Sequence, residues 1–167
     1  MGEAHRYIVA LGSNMRVPLI GAPGEVVRAA AARLDGNAGR VVAFSRIFRS
    51  APLGPSLRHY ANAALLLASE LDPPSLLEEL RQIEDDFGRR RAGARWRARS
   101  LDLDVVLWSG GVWHSSTLTV PHPEFRQRAF VLDPVTEIAP HWRDPVSGLT
   151  LRQLAARLRR QGMRSRA

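Results

Sequence analysis

The chain contains neither cysteine nor lysine. The first absence excludes disulfides, a thiolate metal site and a cysteine nucleophile. The second excludes a phosphate loop of the Walker A kind, which needs its lysine on the phosphates. No apolar run is long enough to span a bilayer, and no secretory leader pattern is present. A cytoplasmic protein with no membrane partner is therefore expected. Repeats and low-complexity segments are missing as well. All positive charge is guanidinium: 24 arginines against 16 acidic residues leave a net charge of +8. A nucleotide enzyme built from this sequence must hold phosphates with arginine and metal.

What is present begins with Asp102 and Asp104, one residue apart at the start of an apolar run and just after an arginine cluster. Alternate residues of a strand share a face, about 7 Å apart at Cα. Two hard carboxylates on one face suit magnesium, which takes oxygen ligands and keeps positions open for phosphate oxygens. Six arginines fall within residues 89–99, and their planar forks match phosphate geometry. The combination points to phosphoryl-type transfer from a nucleotide.

At 167 residues the chain fits one domain, 1–167, with its last residues frayed, burying roughly 70% of the surface of its unfolded form. Tyr7 to Leu11 reads as a buried strand, with Gly12 and Asn14 as turn residues. Val26, Val27, Ala30 and Leu34 have helical spacing, with Gly36 as the stop. Arg40 to Ser50 reads as one strand. Tyr60 to Leu71 fits helix by propensity and buried strand by its continuous apolar run, and strand is kept. Asp72 caps a helix with Leu76, Leu77, Leu80, Ile83 and Phe87 on one stripe and Gly88 at its end. From Leu101 to Trp108, strict alternation puts Leu101, Leu103, Val105 and Leu107 on one face and Asp102, Asp104, Val106 and Trp108 on the other. A strand from Thr117 to Val120, a partly helical Phe130–Ile138 with Pro134 near its start, and a last helix over Thr150–Arg160 complete the expectation. Alternating elements with some hairpin-length links favour an α+β fold.

Five blocks occur in the order and spacing of one family. They are Leu11-Gly-Ser-Asn14; Pro52-Leu-Gly-Pro55 with Tyr60-Ala-Asn62; Arg95 through Asp104; Val120-Pro-His-Pro-Glu-Phe-Arg-Gln-Arg-Ala-Phe-Val-Leu132; and Glu137-Ile-Ala-Pro140. Over roughly residues 6 to 158 the chain resembles the 6-hydroxymethyl-7,8-dihydropterin pyrophosphokinases of folate biosynthesis. The resemblance implies a ferredoxin-like antiparallel sheet with helices packed on it and three mobile loops, near 15–24, 50–59 and 88–99. It implies transfer of pyrophosphate from ATP to the pterin hydroxymethyl group by a monomer that needs no nucleic-acid partner. It makes Asp102 and Asp104 ligands of two magnesium ions, and catalytic together with Arg89 and Arg99. It places Glu84, Arg89, Arg91, Arg95, Trp96, Arg99, His122 and Arg128 around ATP. Tyr60 and Phe130 match rings that sandwich the pterin, Asn62 the amide reading its polar edge, and Ser50, Pro52 and Leu53 the strip lining that pocket. Trp96 belongs to the loop closing over it.

The sequence departs from the family in places. Trp96-Arg-Ala-Arg99 replaces the usual Trp-Gly-Pro-Arg, which alters loop stiffness and adds a charge. Arg81 stands where glutamine is common, and Ala51 at a frequent proline position. Taken singly, each candidate also has a bland reading: the aspartates as a strand-edge ion pair, the arginines as a solvated loop, the aromatics as core. Two other function classes remain compatible with parts of the pattern. A basic nucleic-acid-binding α+β domain would use the arginines on phosphates and the aromatics as stacking platforms. Another two-metal nucleotidyltransferase would use the aspartates but leave Tyr60, Asn62 and Phe130 unexplained.

Overall fold

The computed structural model describes residues 4–51, 58–88 and 100–164. Pro52, Leu53, Arg89, Arg91, Arg95, Trp96 and Arg99 lie outside the described residues, as do most of the two loops expected at 50–59 and 88–99. The described chain builds a five-stranded antiparallel sheet with two helices on each face, and a separate two-stranded hairpin. Its elements are β1 (His5–Ser13), α1 (Pro23–Asn37), β2 (Arg40–Phe44), β3 (Phe48–Ser50), β4 (Tyr60–Ser69), α2 (Pro73–Asp86), β5 (Asp102–Trp108), β6 (Trp113–His114), β7 (Thr119–Val120), α3 (Ala129–Ile138) and α4 (Leu151–Arg164). The sheet runs β2, β4, β1, β5, with β3 following β2 along the same side of β4. This is the βαββαβ order of a ferredoxin-like fold, with β2 and β3 sharing one strand position. No helix among the described residues is long and apolar enough to cross a membrane.

Two cores fill the faces. Tyr7, Val9, Leu11, Ala63, Leu65, Leu67, Leu103 and Val105 meet α1 and α2 on one side. Ile8, Ala64, Val106 and Leu107 meet Phe125, α3 and α4 on the other. Coverage on both faces explains why Tyr60–Ser69 is a strand despite its helix-favouring residues: a central strand buried twice reads as a continuous apolar run. The Asp72 side chain accepts a hydrogen bond from the Ser75 N–H at 3.0 Å and caps α2 as expected. Thr150 Oγ1 and the Gln153 side chain exchange bonds with each other's backbone N–H groups to start α4.

Several expectations need correction. Arg40–Ser50 is two strands, because the register slips between Val41 and Ala43 and Ser45 breaks the ladder, its Oγ accepting from Ala64 N–H at 3.0 Å. Strict alternation along β5 also fails. A bulge against β1 shifts the register after Val105, sending Leu107 to the α3/α4 face and Trp108 to the α1/α2 face. Gly12 is a paired residue inside β1 and not part of a turn. The short strand begins at Thr119 rather than Thr117, and α4 runs on to Arg164. Pro134 is the sixth residue of the ten-residue α3, well past its start.

Candidate active site

Asp102 and Asp104 project from the start of β5 on the α3/α4 face, opposite Leu103 and Val105, which belong to the other core. Cross-strand pairing decides what lies beside them. Asp102 pairs with Gly12, Gly12 with Asn62, and Asn62 with Phe48, so these four form one row across the sheet. Two residues further towards the sheet's end, and so on the same face, Tyr60 pairs with Ser50. Gly12 contributes no side chain between Asn62 and Asp102, leaving an open floor. A Cβ at this position would meet only the Asn62 Oδ1, at 3.5 Å. Asn62 is 5% exposed, and its Nδ2 donates to Ser50 Oγ at 2.7 Å. Its amide plane is thereby fixed from a buried position.

Behind the aspartates stands Glu84, on α2. It is 4% exposed, and its Oε1 accepts the backbone N–H of Leu103 at 2.8 Å. That amide lies between the two aspartates in sequence, so a buried carboxylate from the opposite layer holds the segment that carries them. His122 follows the cis Val120–Pro121 bond and is tied to β5 by its own N–H donating to Val106 O at 3.0 Å. Its Nδ1 accepts from Glu124 N–H at 3.2 Å. A neutral ring in that arrangement carries its proton on Nε2, the atom 4.0 Å from Asp104 Oδ2. Arg128, the N-cap of α3, pairs with Glu124 one helical turn earlier. Its guanidinium also lies 5.8 Å from the centre of the Phe130 ring. Phe130, second residue of α3, is half-buried at the edge of the α3/α4 core.

The segment that delivers Arg128 and Phe130 is braced from below. Asp144 is fully buried and receives two hydrogen bonds of 2.7 Å from the Arg126 guanidinium. Burial alone would raise its pKa, but the bonds from Arg126 and Ser147 outweigh that and lower it to about 2.

A cavity of about 340 Å³ opens along the outer edge of β5. Leu77, Leu103 and Leu118 give it apolar walls, Thr117 and Thr119 polar ones, and Asp104 and His122 close one end. Leu77 and Leu118 were missed by sequence reading, because an apolar residue at helical or strand spacing signals core whether it lines a cavity or fills one. Among the described residues no group of three or more histidine, aspartate or glutamate side chains could enclose a metal. Two carboxylates on one face, beside an open cavity, instead fit a cation that takes its remaining ligands from a phosphate group and water. The structure thus brings together Asp102, Asp104 and His122 on one side of Gly12, and Ser50, Tyr60 and Asn62 on the other.

Comparison with known proteins gives a consistent family. The model of the 7,8-dihydro-6-hydroxymethylpterin-pyrophosphokinase (HPPK) family matches residues 8–140. A relative from Synechocystis, named 2-amino-4-hydroxy-6-hydroxymethyldihydropteridine pyrophosphokinase, is 40% identical over 91% of this chain and 75% of its own. A relative of the same name from Methylorubrum extorquens is 37% identical over 95% of this chain and 96% of its own. Among solved structures, Plasmodium falciparum HPPK-DHPS superposes with a TM-score of 0.73 over 92% of this chain and 43% of that longer one. At 11% identity that likeness is one of fold.

Proposed function

The chain belongs to the 7,8-dihydro-6-hydroxymethylpterin-pyrophosphokinase family, and on that footing we propose how its residues divide the reaction. The enzyme transfers pyrophosphate from ATP to the hydroxymethyl oxygen of the dihydropterin in folate biosynthesis. The oxygen attacks the β-phosphorus, the bond to the bridging oxygen of the α-phosphate breaks, and AMP leaves. Family membership favours neither the nucleic-acid-binding reading nor that of a different nucleotidyltransferase.

The observation that carries the division of labour is the row Asn62–Gly12–Asp102. It supports a pterin lying over Gly12 with its amide edge at Asn62 and its hydroxymethyl arm towards the aspartates. Tyr60 and Phe130 supply the stacking rings in an offset arrangement, and Ser50 fixes the Asn62 amide. ATP occupies the cavity along β5, base and ribose between Leu77 and Leu118, phosphates at Asp104 and His122. His122 offers its Nε2 proton to a phosphate oxygen. Arg128 exchanges Glu124 for phosphate, and Arg89, Arg91, Arg95 and Arg99 supply further guanidinium, with Trp96 over the pterin.

Asp102 and Asp104 would hold two magnesium ions, which when bound would supply charge neutralisation for the phosphates and orientation for the attacking hydroxyl. The protein's own contribution is alignment and fixed charge, which phosphoryl-type transfer rewards more than covalent chemistry. We read the enzyme as one domain acting as a monomer in the cytoplasm.

Incubation with magnesium, ATP and 6-hydroxymethyl-7,8-dihydropterin, followed by nucleotide chromatography, tests the reading. AMP must form in step with pterin diphosphate and depend on the pterin. ADP as product, or AMP without pterin, would contradict it.

A further inference from the structure

Glu137 belongs to the one family-like block, Glu137-Ile-Ala-Pro140, to which the proposed reaction gives no task. It lies in the last turn of α3, and its carboxylate grips a single residue of the link between β2 and β3. Oε1 accepts the Arg46 backbone N–H at 2.9 Å, and Oε2 accepts Arg46 Nε at 2.8 Å. The Arg46 guanidinium in turn covers the Phe48 ring, 4.7 Å from its centre. Phe48 is the cross-strand partner of Asn62, and Ser50, two residues on, is the partner of Tyr60 and the acceptor for the Asn62 amide.

At the other end of the same helix stands Phe130. Residues seven apart complete two helical turns and share a side, so Phe130 and Glu137 sit on one face of α3, about 10 Å apart along its axis. The helix packs on β3 and β4. One wall of the pterin pocket therefore rides on α3 through Phe130, the other on β3 and β4 through Ser50, Tyr60 and Asn62. A single carboxylate ties the two together on the side away from the opening. We propose that Glu137 is a positioning residue for the pterin: it sets the gap between the Phe130 wall and the Ser50–Asn62 wall.

The inference rests on the pocket assigned above. Within it the backbone bond matters more than the ion pair. The Arg46 side chain is 75% exposed, and exposed pairs add little. The Arg46 N–H, by contrast, can be neither moved nor replaced by a side-chain rotation. Glu137→Gln keeps an oxygen for that N–H while losing the charge, and Arg46→Ala keeps the N–H while losing the guanidinium.

Equilibrium titration of 6-hydroxymethyl-7,8-dihydropterin and, separately, of magnesium with a non-hydrolysable ATP analogue reads the proposal. Glu137→Ala should weaken pterin binding about tenfold and change analogue binding less than twofold. Glu137→Gln and Arg46→Ala should both stay within about threefold of the parent for pterin. Pterin binding unchanged in Glu137→Ala, equal losses for both ligands, or a glutamine variant as weak as the alanine one would each overturn the proposal. If Glu137→Ala does not fold, Glu137→Asp, one methylene shorter, carries the same test: a loss confined to pterin supports the proposal and any other pattern refutes it. Loss of pterin binding in Phe130→Ala without loss in Glu137→Ala would refute the positioning role alone. A parent protein that binds no pterin would refute the pocket itself.

Discussion

Glu84 Oε1 and the Leu103 N–H are joined by a 2.8 Å hydrogen bond that crosses from helix α2 to the edge of the sheet, between the two aspartates of β5. Hydrogen bonds to charged groups contribute about 1.5–3 kcal/mol, and a buried donor left without its partner costs a similar amount. Glu84→Ala should therefore lower unfolding free energy by about 2 kcal/mol and speed amide exchange at Leu103. Exchange at Leu65, in the centre of β4, should follow only the global change. An unaltered Leu103 amide would show that the bond does not hold β5.

Gly12→Ala separates fitting the protein from fitting the substrate. The added methyl meets nothing closer than Asn62 Oδ1 at 3.5 Å, an ordinary contact. Strand glycine costs roughly 0.5–1 kcal/mol relative to alanine, so thermal stability should hold or rise slightly. The methyl would stand on the floor between Asn62 and Asp102, and pterin affinity should fall by about tenfold, equivalent to about 1.4 kcal/mol. Unchanged pterin binding in a stable variant would remove Gly12 from the site.

Asp104→Ala should leave the fold intact, because the side chain is 41% exposed and such substitutions usually stay within about 0.5 kcal/mol. Turnover should drop by on the order of a hundredfold or more, the equivalent of the several kcal/mol a clamped cation supplies. Divalent-ion titration of the resting enzyme gives a second readout and should show weakened binding. Near-parental AMP formation would contradict the metal role.

Asp144 makes acid stability testable. Its folded pKa of about 2 lies below the ordinary carboxylate value of 3.8. The native state therefore favours the ionised form. The resulting stabilisation, on the order of 2 kcal/mol, is complete above the unfolded value and disappears as pH falls from about 4 to about 2. Asp144→Asn should be less stable at neutral pH, by about 3 kcal/mol for a broken buried pair, and should show a flatter stability profile across that acid range. Parallel profiles for parent and variant would refute the assignment.

The aspartate pair was legible because period two is a local property: Asp102 and Asp104 share a face whatever else the sheet does. The bulge beyond Val105 was not, since Val105, Val106 and Leu107 suit either face and the slip depends on β1. Tyr60–Ser69 was ambiguous for the same reason, its neighbours and not its propensities deciding strand. Gly12 misled because a glycine before serine and asparagine is a turn signal by itself. Its partners, Asn62 and Asp102, both lie far downstream of β1 in the chain. Glu84 carried no local sign of a backbone bond, which exists only once α2 packs on β5. Residue order thus revealed chemistry that neighbours in sequence share, and concealed whatever needed two strands to meet.

The row from Asn62 through Gly12 to Asp102 makes the sheet a ruler. Two inter-strand spacings, about 10 Å in all, separate the backbone of Asn62, proposed to read one end of the substrate, from that of Asp102, proposed to face the other. Backbone ladders fix that length, and no rotamer change can stretch it. A homologous alcohol with one more methylene in its arm would still be recognised at Asn62, yet would bring its oxygen past the phosphorus. Selectivity for arm length should then appear in turnover rather than in affinity.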